Sequence, residues 1–268
     1  MLTIVTINIW QEQGPWERRL ALLGRRLAAL APDVVCLQEV REVPGKVPNT
    51  AGILAGDLGM DYTFEVAQPW GGGDEGLAIL SRHALLQRDF CELPFTEGRS
   101  RRVCLGASVD LPGAGETWIF TTHLAFRLTD GLLREQQVLE ADRFIQAHRN
   151  GNAAVLAGDF NAVPDSDEVR FLRGRATLDG RRTYYQDAFA QHNPGVPGHT
   201  WVRDNPYTAK LAWLEPNRRL DYILVTPMTS KGAGVIRACR MVLTEPDTAG
   251  VYCSDHYGLL AEVEVAAK

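Results

Sequence analysis

The sequence predicts an α/β sandwich in which two packed sheets carry helices on their outer faces. Three observations point there. Short apolar runs rich in Val, Ile and aromatic residues recur along all 268 residues, at lengths that suit strands rather than helices. Only a few segments carry a helical period, too few for the helix after every strand that a regular alternating parallel fold needs. Finally, 45% of the residues are hydrophobic, ample material for a sizeable core. Sandwiches of about this length often form one unit, so residues 1–268 are read as a single domain.

Taken in order, LTIVTINI opens the chain as a strand and PDVVCLQEV supplies the next. Between them Leu20, Leu23, Leu27 and Leu30 share one helical face, with arginines elsewhere on the helix. EGLAILS, VCLGASVDL and TWIFTTHL read as strands, and Gly131 to Arg149 as a second helix with Leu132, Leu139 and Ile145 among its apolar positions. AAVLAGDF is a strand, and a short helix follows Pro164, with Asp165 or Ser166 placed to cap it. The stretch from His192 to Arg218 is rich in Pro, Gly and Asn and holds Trp201 and Trp213. A connection this long is more often functional or ordered by packing than idle. RLDYILV and YGLLAEVEV complete the strands.

Composition narrows the function. A net charge of −5 gives no overall attraction to polyanions and leaves phosphate binding to local basic clusters. Cys36, Cys91, Cys104, Cys239 and Cys253 are odd in number and lack close pairing, so they read as reduced core residues. With no HExxH and no paired CxxC, a protease-type or structural zinc site is disfavoured. No apolar stretch approaches the roughly 18 to 20 residues that span a bilayer. The opening residues show no basic region and cleavage site, so the expected location is the cytoplasm.

The chemistry sits where strands stop. Asn8 follows TI, Glu39 follows VVCLQ, and His123 follows IFTT. Asp159 and Asn161 lie in GDFN, Asp221 in RLDY, and Asp255 and His256 in SDHYG. Hydrolysis of a phosphodiester requires an aimed water, neutralised phosphoryl charge and a stabilised leaving oxygen. Carboxylates, amides and imidazoles supply those needs, and Glu39 with neighbouring acids suits magnesium, a hard cation that prefers oxygen ligands.

The ordered set TINIW, CLQE, GLAILSR, TTHL, GDFNAVP, RLDYILV and SDHYG resembles the endonuclease/exonuclease/phosphatase superfamily from residue 3 to about 263. The resemblance implies a four-layer α/β/β/α sandwich of two mixed β-sheets packed face to face. It also implies a magnesium-dependent phosphoester hydrolase, with Mn2+ a possible substitute. Glu39 would be the main metal ligand, with Asn8 and Asp255 close to the metal or phosphate. Asp159 would orient or deprotonate the water, and Asn161 would donate to a phosphoryl oxygen. His256, oriented by Asp221, would contact the phosphate. His123 would protonate the leaving group with Glu75, or else Asp74, as its carboxylate partner. Arg101 or Arg102 would bind phosphate, and Trp201 flanks the substrate side. The leading substrate is nucleic acid. The alternative is a phospholipid or sugar-phosphate headgroup, suggested by the sphingomyelinase-like TWVRDNP. A polar rim would count against lipid. A non-catalytic phosphate-binding relative is the third reading.

Overall fold

Side chains alternate across a strand, so a strand that is apolar on both faces must lie between two layers. The first strand shows this: Leu2 and Ile4 face one apolar cluster, Val5 and Ile7 another. The computed structural model describes residues 1–208, 217–230 and 232–265, and Trp213 lies outside them. In chain order the elements are β1 (Leu2–Asn8), α1 (Trp16–Leu30), β2 (Val34–Glu42), α2 (Thr50–Leu58), β3 (Asp61–Trp70), β4 (Gly73–Ser81), β5 (Leu85–Leu93), β6 (Arg102–Leu111) and β7 (Gly115–His123). They continue as α3 (Gly131–His148), β8 (Val155–Asp159), α4 (Asp167–Leu172), β9 (Gln186–Asp187), α5 (Ala188–His192), β10 (Trp201–Val202), β11 (Asn217–Arg218), β12 (Asp221–Val225), β13 (Val235–Val242) and β14 (Gly258–Glu264).

One sheet runs β13-β14-β1-β2-β4-β3, the other β5-β6-β7-β8-β12-β9, and β10 with β11 makes a small ribbon. Both sheets are mixed, because β1 with β2 and β7 with β8 are parallel while their other neighbours are antiparallel. Ile4, Cys36, Ile79, Leu105, Ile119, Ala157 and Ile223 belong to the core between the sheets. Leu23 and Leu27 of α1 and Leu54 of α2 cover the first sheet; Val138 and Ile145 of α3 and Phe171 of α4 cover the second. The predicted α/β/β/α layering is the observed one. The five cysteines are free thiols, all buried except the half-buried Cys91.

Differences from expectation have local causes. The buried stripe of α3 is Leu133, Arg134, Gln137, Val138, Ala141, Phe144 and Ile145, so Leu132 falls off it and is 70% exposed. Ser166 is the N-cap of α4, yet its side chain makes no capping bond. Helix α2 escapes a search for apolar periods because Gly52 and Gly56 interrupt it. Its signals are instead Asn49, whose Oδ1 accepts from the N–H of Ala51 and Gly52, and left-handed Gly59. Strands β3 and β5 are sheet edges with largely exposed side chains and no continuous apolar run.

Register sets the site. On the three adjacent strands β7, β8 and β12, His123 pairs with Asp159 and Asp159 with Asp221, placing the three polar ends in one row. Gly158 makes that row possible. It adopts φ +150°, and a Cβ there would lie 2.0 Å from the Thr122 carbonyl oxygen, a backbone atom that cannot yield without moving β7. Gly158→Ala is therefore expected to lower unfolding free energy by about 3 kcal/mol, measured by urea denaturation. A change within about 0.5 kcal/mol would contradict this close approach.

Candidate active site

The polar strand ends open onto a cavity of about 700 Å³ whose lining includes Glu39, Glu75, Arg102, His123, Asp159, Asn161, Asp255 and His256. Asp159 stands at its centre. Its Oδ2 accepts from Asn8 Nδ2 at 3.0 Å and lies 3.5 Å from His123 Nε2 and 3.7 Å from His256 Nε2. Its Oδ1 accepts from the Asn161 backbone N–H at 2.8 Å, across a turn in which Asn161 takes φ +49°. Burial pushes the Asp159 carboxyl up, but His256, His123 and the Asn8 amide outweigh it and hold it below the ordinary value. Asp159 is thus an anion at neutral pH, poised to accept a proton.

Asn8 joins the two sheets. Its Nδ2 donates to Glu39 Oε1 at 3.0 Å as well as to Asp159, while its Oδ1 accepts from the Trp10 N–H at 2.9 Å. Both Asn8 amide hydrogens thus go to carboxylates, while its Oδ1, an acceptor with two lone pairs, can still serve a cation. Glu39 reaches the cavity because β2 bulges between Leu37 and Val40, with Glu39 itself at φ +58°.

His256 Nδ1 donates to Asp221 Oδ2 at 2.8 Å. Burial alone lowers the pKa of this imidazole, but Asp221, Asp159 and Asp255 together carry it well above the ordinary value, so His256 is a cation. Its loop is held from both sides. Ser254 Oγ donates to the Asn8 carbonyl at 2.6 Å, and Asn205 Nδ2 donates to the carbonyls of Ser254 at 2.8 Å and Asp255 at 3.3 Å. Thr200 Oγ1 accepts from the N–H of Leu220 and Asp221, fixing the start of β12.

Two sets of groups can hold a divalent cation. One ligand-type atom from each of Asp159, Asp221 and His256 lies within 4.8 Å of the others, although the Asp221–His256 hydrogen bond already occupies Nδ1. The other set centres on Glu39. Burial, then the charges of Glu75 and Asp255, push its carboxyl up to about 8, and burial also raises Asp255. Buried carboxylates that oppose one another's ionisation are an unbalanced negative site, and oxygen donors of this kind suit a hard divalent cation.

The neighbourhood of His123 differs from expectation. Glu75 Oε1 is 4.0 Å from His123 Nδ1, whereas Arg102 Nη1 is 3.2 Å from that nitrogen and 3.3 Å from Glu75 Oε1. Arg102 is the nearer partner of the imidazole, with Glu75 at the outer limit of an ion pair; burial and then the guanidinium lower the His123 pKa to about 3. Glu75 lines the cavity and anchors Arg102. Arg101 is also corrected: it is exposed, pairs with Glu92 and stacks on Phe95, outside the cavity lining. Trp201 is buried on the cavity wall with the Arg218 guanidinium 4.7 Å above its ring.

Several lining residues escape a sequence reading: Gln11, Gln68, Phe126, Arg127 and Arg218. Buried Arg19 is another. Its guanidinium donates to the carbonyls of Ile9, Trp10, Gln11, Gln13 and Cys253, tying the loop after Asn8 to the loop before Asp255. WxxR just before an apolar helix face was the available signal, but arginines on helices usually meet solvent. The rim is not purely polar, since Trp70 is 47%, Phe126 52% and Leu128 54% exposed.

Residues 5–256 match the family model described as Endonuclease/Exonuclease/phosphatase family. The chain belongs to this family. Endonuclease/exonuclease/phosphatase enzymes are hydrolases of phosphoester bonds and are generally dependent on divalent metal. Nocturnin of Drosophila melanogaster is 26% identical over 282 residues, covering 95% of this chain and 43% of that protein. Human Nocturnin is 26% identical over 269 residues, covering 92% and 58%. Protein angel of Drosophila melanogaster is 29% identical over 180 residues, covering 63% and 50%. The chain thus spans about half the length of these relatives. The structure of D. rerio TDP2 complexed with single strand DNA product has TM-score 0.76 at 21% identity over 97% of each chain. The human Nocturnin catalytic domain with bound sulfate anion has TM-score 0.73 at 21% identity, covering 98% of this chain and 93% of that one. These structures share the fold. Among the described residues no helix is long and apolar enough to cross a membrane.

Proposed function

We propose that the chain is a magnesium-dependent phosphodiesterase acting on nucleic-acid strands, with manganese able to replace magnesium. The observation that carries this reading is anionic Asp159 at 3.0 to 3.7 Å from Asn8, His123 and His256. These groups lie in a cavity whose wall mixes Trp10, Trp70 and Phe126 with Arg127 and Arg218. Arginines hold phosphates and aromatic rings stack on bases, the two contacts a strand offers. The single strand DNA product held by D. rerio TDP2 on the same fold supports this choice.

Glu39, with Asp255 beside it, would hold the cation, which when bound neutralises phosphoryl charge and polarises the ester. Asp159 accepts the proton of the attacking water, and Asn8 and His123 keep its Oδ2 aimed. The Asn161 amide, one hydrogen of which meets the Leu124 carbonyl at 3.2 Å, presents the other to a phosphoryl oxygen. His256, held as a cation by Asp221, offers Nε2–H to the oxygens that gain charge in the transition state. Arg218 contributes further positive charge beside Trp201.

The test is a labelled single-stranded oligonucleotide incubated with the protein and Mg2+; shorter products that vanish on chelation and return with added Mg2+ are expected. The exposed Trp70, Phe126 and Leu128 favour a second reading, a lipid headgroup diester, because such a rim can insert into a lipid surface. Turnover of sphingomyelin vesicles with inert oligonucleotides would replace the first reading by the second.

A pH dependence follows from Glu39. Its folded-state pKa of about 8 lies above the ordinary 4.5, so its ionisation weakens the metal-free fold as pH rises through that window. A carboxyl raised in this way holds its proton more readily than an ordinary glutamate, and a cation competes with that proton. Magnesium is therefore expected to bind more tightly as pH rises from 6 to 9, with proton release near neutrality. Calorimetry in two buffers of different ionisation enthalpy measures both; affinity that is flat with pH would contradict the assignment.

A further inference from the structure

The groups around His123 decide where its ring proton resides. Arg102 Nη1 approaches His123 Nδ1 at 3.2 Å. A guanidinium has only N–H donors and keeps its proton at any pH a protein survives. Nδ1 must therefore be the acceptor, and the single hydrogen of the ring sits on Nε2, which faces Asp159 Oδ2 at 3.5 Å. Glu75 is the group that could draw a proton to Nδ1, but it stands 4.0 Å away with both oxygens engaged. Its Oε1 accepts from Arg102 at 3.3 Å, and its Oε2 accepts from Gln68 at 2.8 Å and Gln11 at 3.3 Å. Glu75, Arg102 and His123 are each buried, so bulk water does not rearrange the order of donors.

We propose that Arg102 is a positioning residue that locks His123 as a neutral Nε2–H donor, so that its one ring hydrogen is directed to Asp159 and the imidazole surrenders no proton to the leaving group. The leaving oxygen then departs as an anion with respect to His123. His123 therefore gives no advantage that grows with the basicity of the leaving oxygen. This consequence rests on the phosphoester reaction proposed above, whereas the position of the proton does not.

The proton is read directly from long-range 1H–15N correlation spectra of protein labelled at histidine, recorded at pH 7.5 without substrate. His123 is assigned by its loss in His123→Gln. In the wild type, a protonated Nε2 and an unprotonated Nδ1 are expected. Arg102→Lys, whose ammonium also only donates, keeps that pattern. Arg102→Met moves the proton to Nδ1 and frees Glu75 to accept it. A protonated Nδ1 in the wild type overturns the proposal even if neither variant folds, and so does an Nε2–H pattern unchanged in a folded Arg102→Met. Across a series of phosphodiesters of rising leaving-group basicity, His123→Gln is expected to cost a constant factor. A loss that grows with basicity would show proton transfer and refute the catalytic half. If no phosphodiester is turned over, the proposed function fails while the spectra still decide the tautomer.

Discussion

Asp159→Asn is expected to lower kcat by about a thousandfold, within the range attributed to general acid–base catalysis, while the chain still folds. The substitution keeps the volume of the side chain but removes the carboxylate that both accepts from Asn8 and faces two imidazoles. It also removes one of the three charges that raise the His256 pKa, so the cationic state of His256 weakens at the same time. Stopped-assay rates with Mg2+ measure the loss, and circular dichroism confirms the fold. An Asn variant retaining more than about a tenth of the activity would leave Asp159 as a turn residue whose Oδ1 merely accepts the Asn161 N–H at 2.8 Å.

Glu39→Gln has the second-largest expected effect, and it acts in opposite directions on two properties. Removing the charge relieves the mutual opposition of Glu39, Glu75 and Asp255, so the metal-free protein becomes more stable at pH 8 by about 1 kcal/mol or more. The same change removes the carboxylate proposed as the main ligand, and Mg2+ affinity is expected to fall by at least about a hundredfold. Thermal melts of the metal-free protein read the first effect and Mg2+ titration the second. Lower metal-free stability together with unchanged affinity would place the cation elsewhere, with the Asp159, Asp221 and His256 set the next candidate.

The groups that were legible in the sequence are those attached to the strongest periodic signal. His123, Asp159 and Asp221 end buried strands, and once β7, β8 and β12 pair in register they must lie side by side. Polar edge strands carry no such signal, which hides β3 and the Gln68 it delivers to Glu75. Adjacent Arg101 and Arg102 could not be separated because alternation along a strand assigns opposite directions without saying which residue starts inward; the pairing of β6 with β5 and β7 makes Arg102 the inner one. The place of Arg102 beside His123 was hidden for a related reason. Glu75 and His123 come from different sheets, and only the packed structure shows Arg102 interposed between them. Arg19 gathers carbonyls from loops more than 200 residues apart in sequence, a relation no local pattern encodes.

The most direct test of the account is hydrolysis of an activated aryl phosphodiester by purified protein with Mg2+, run beside His256→Ala and beside chelated wild type. Turnover by the wild type that is lost in both controls is the expected result. Turnover that survives either chelation or the loss of His256 would contradict the assignment of this cavity as a metal-assisted phosphoester site.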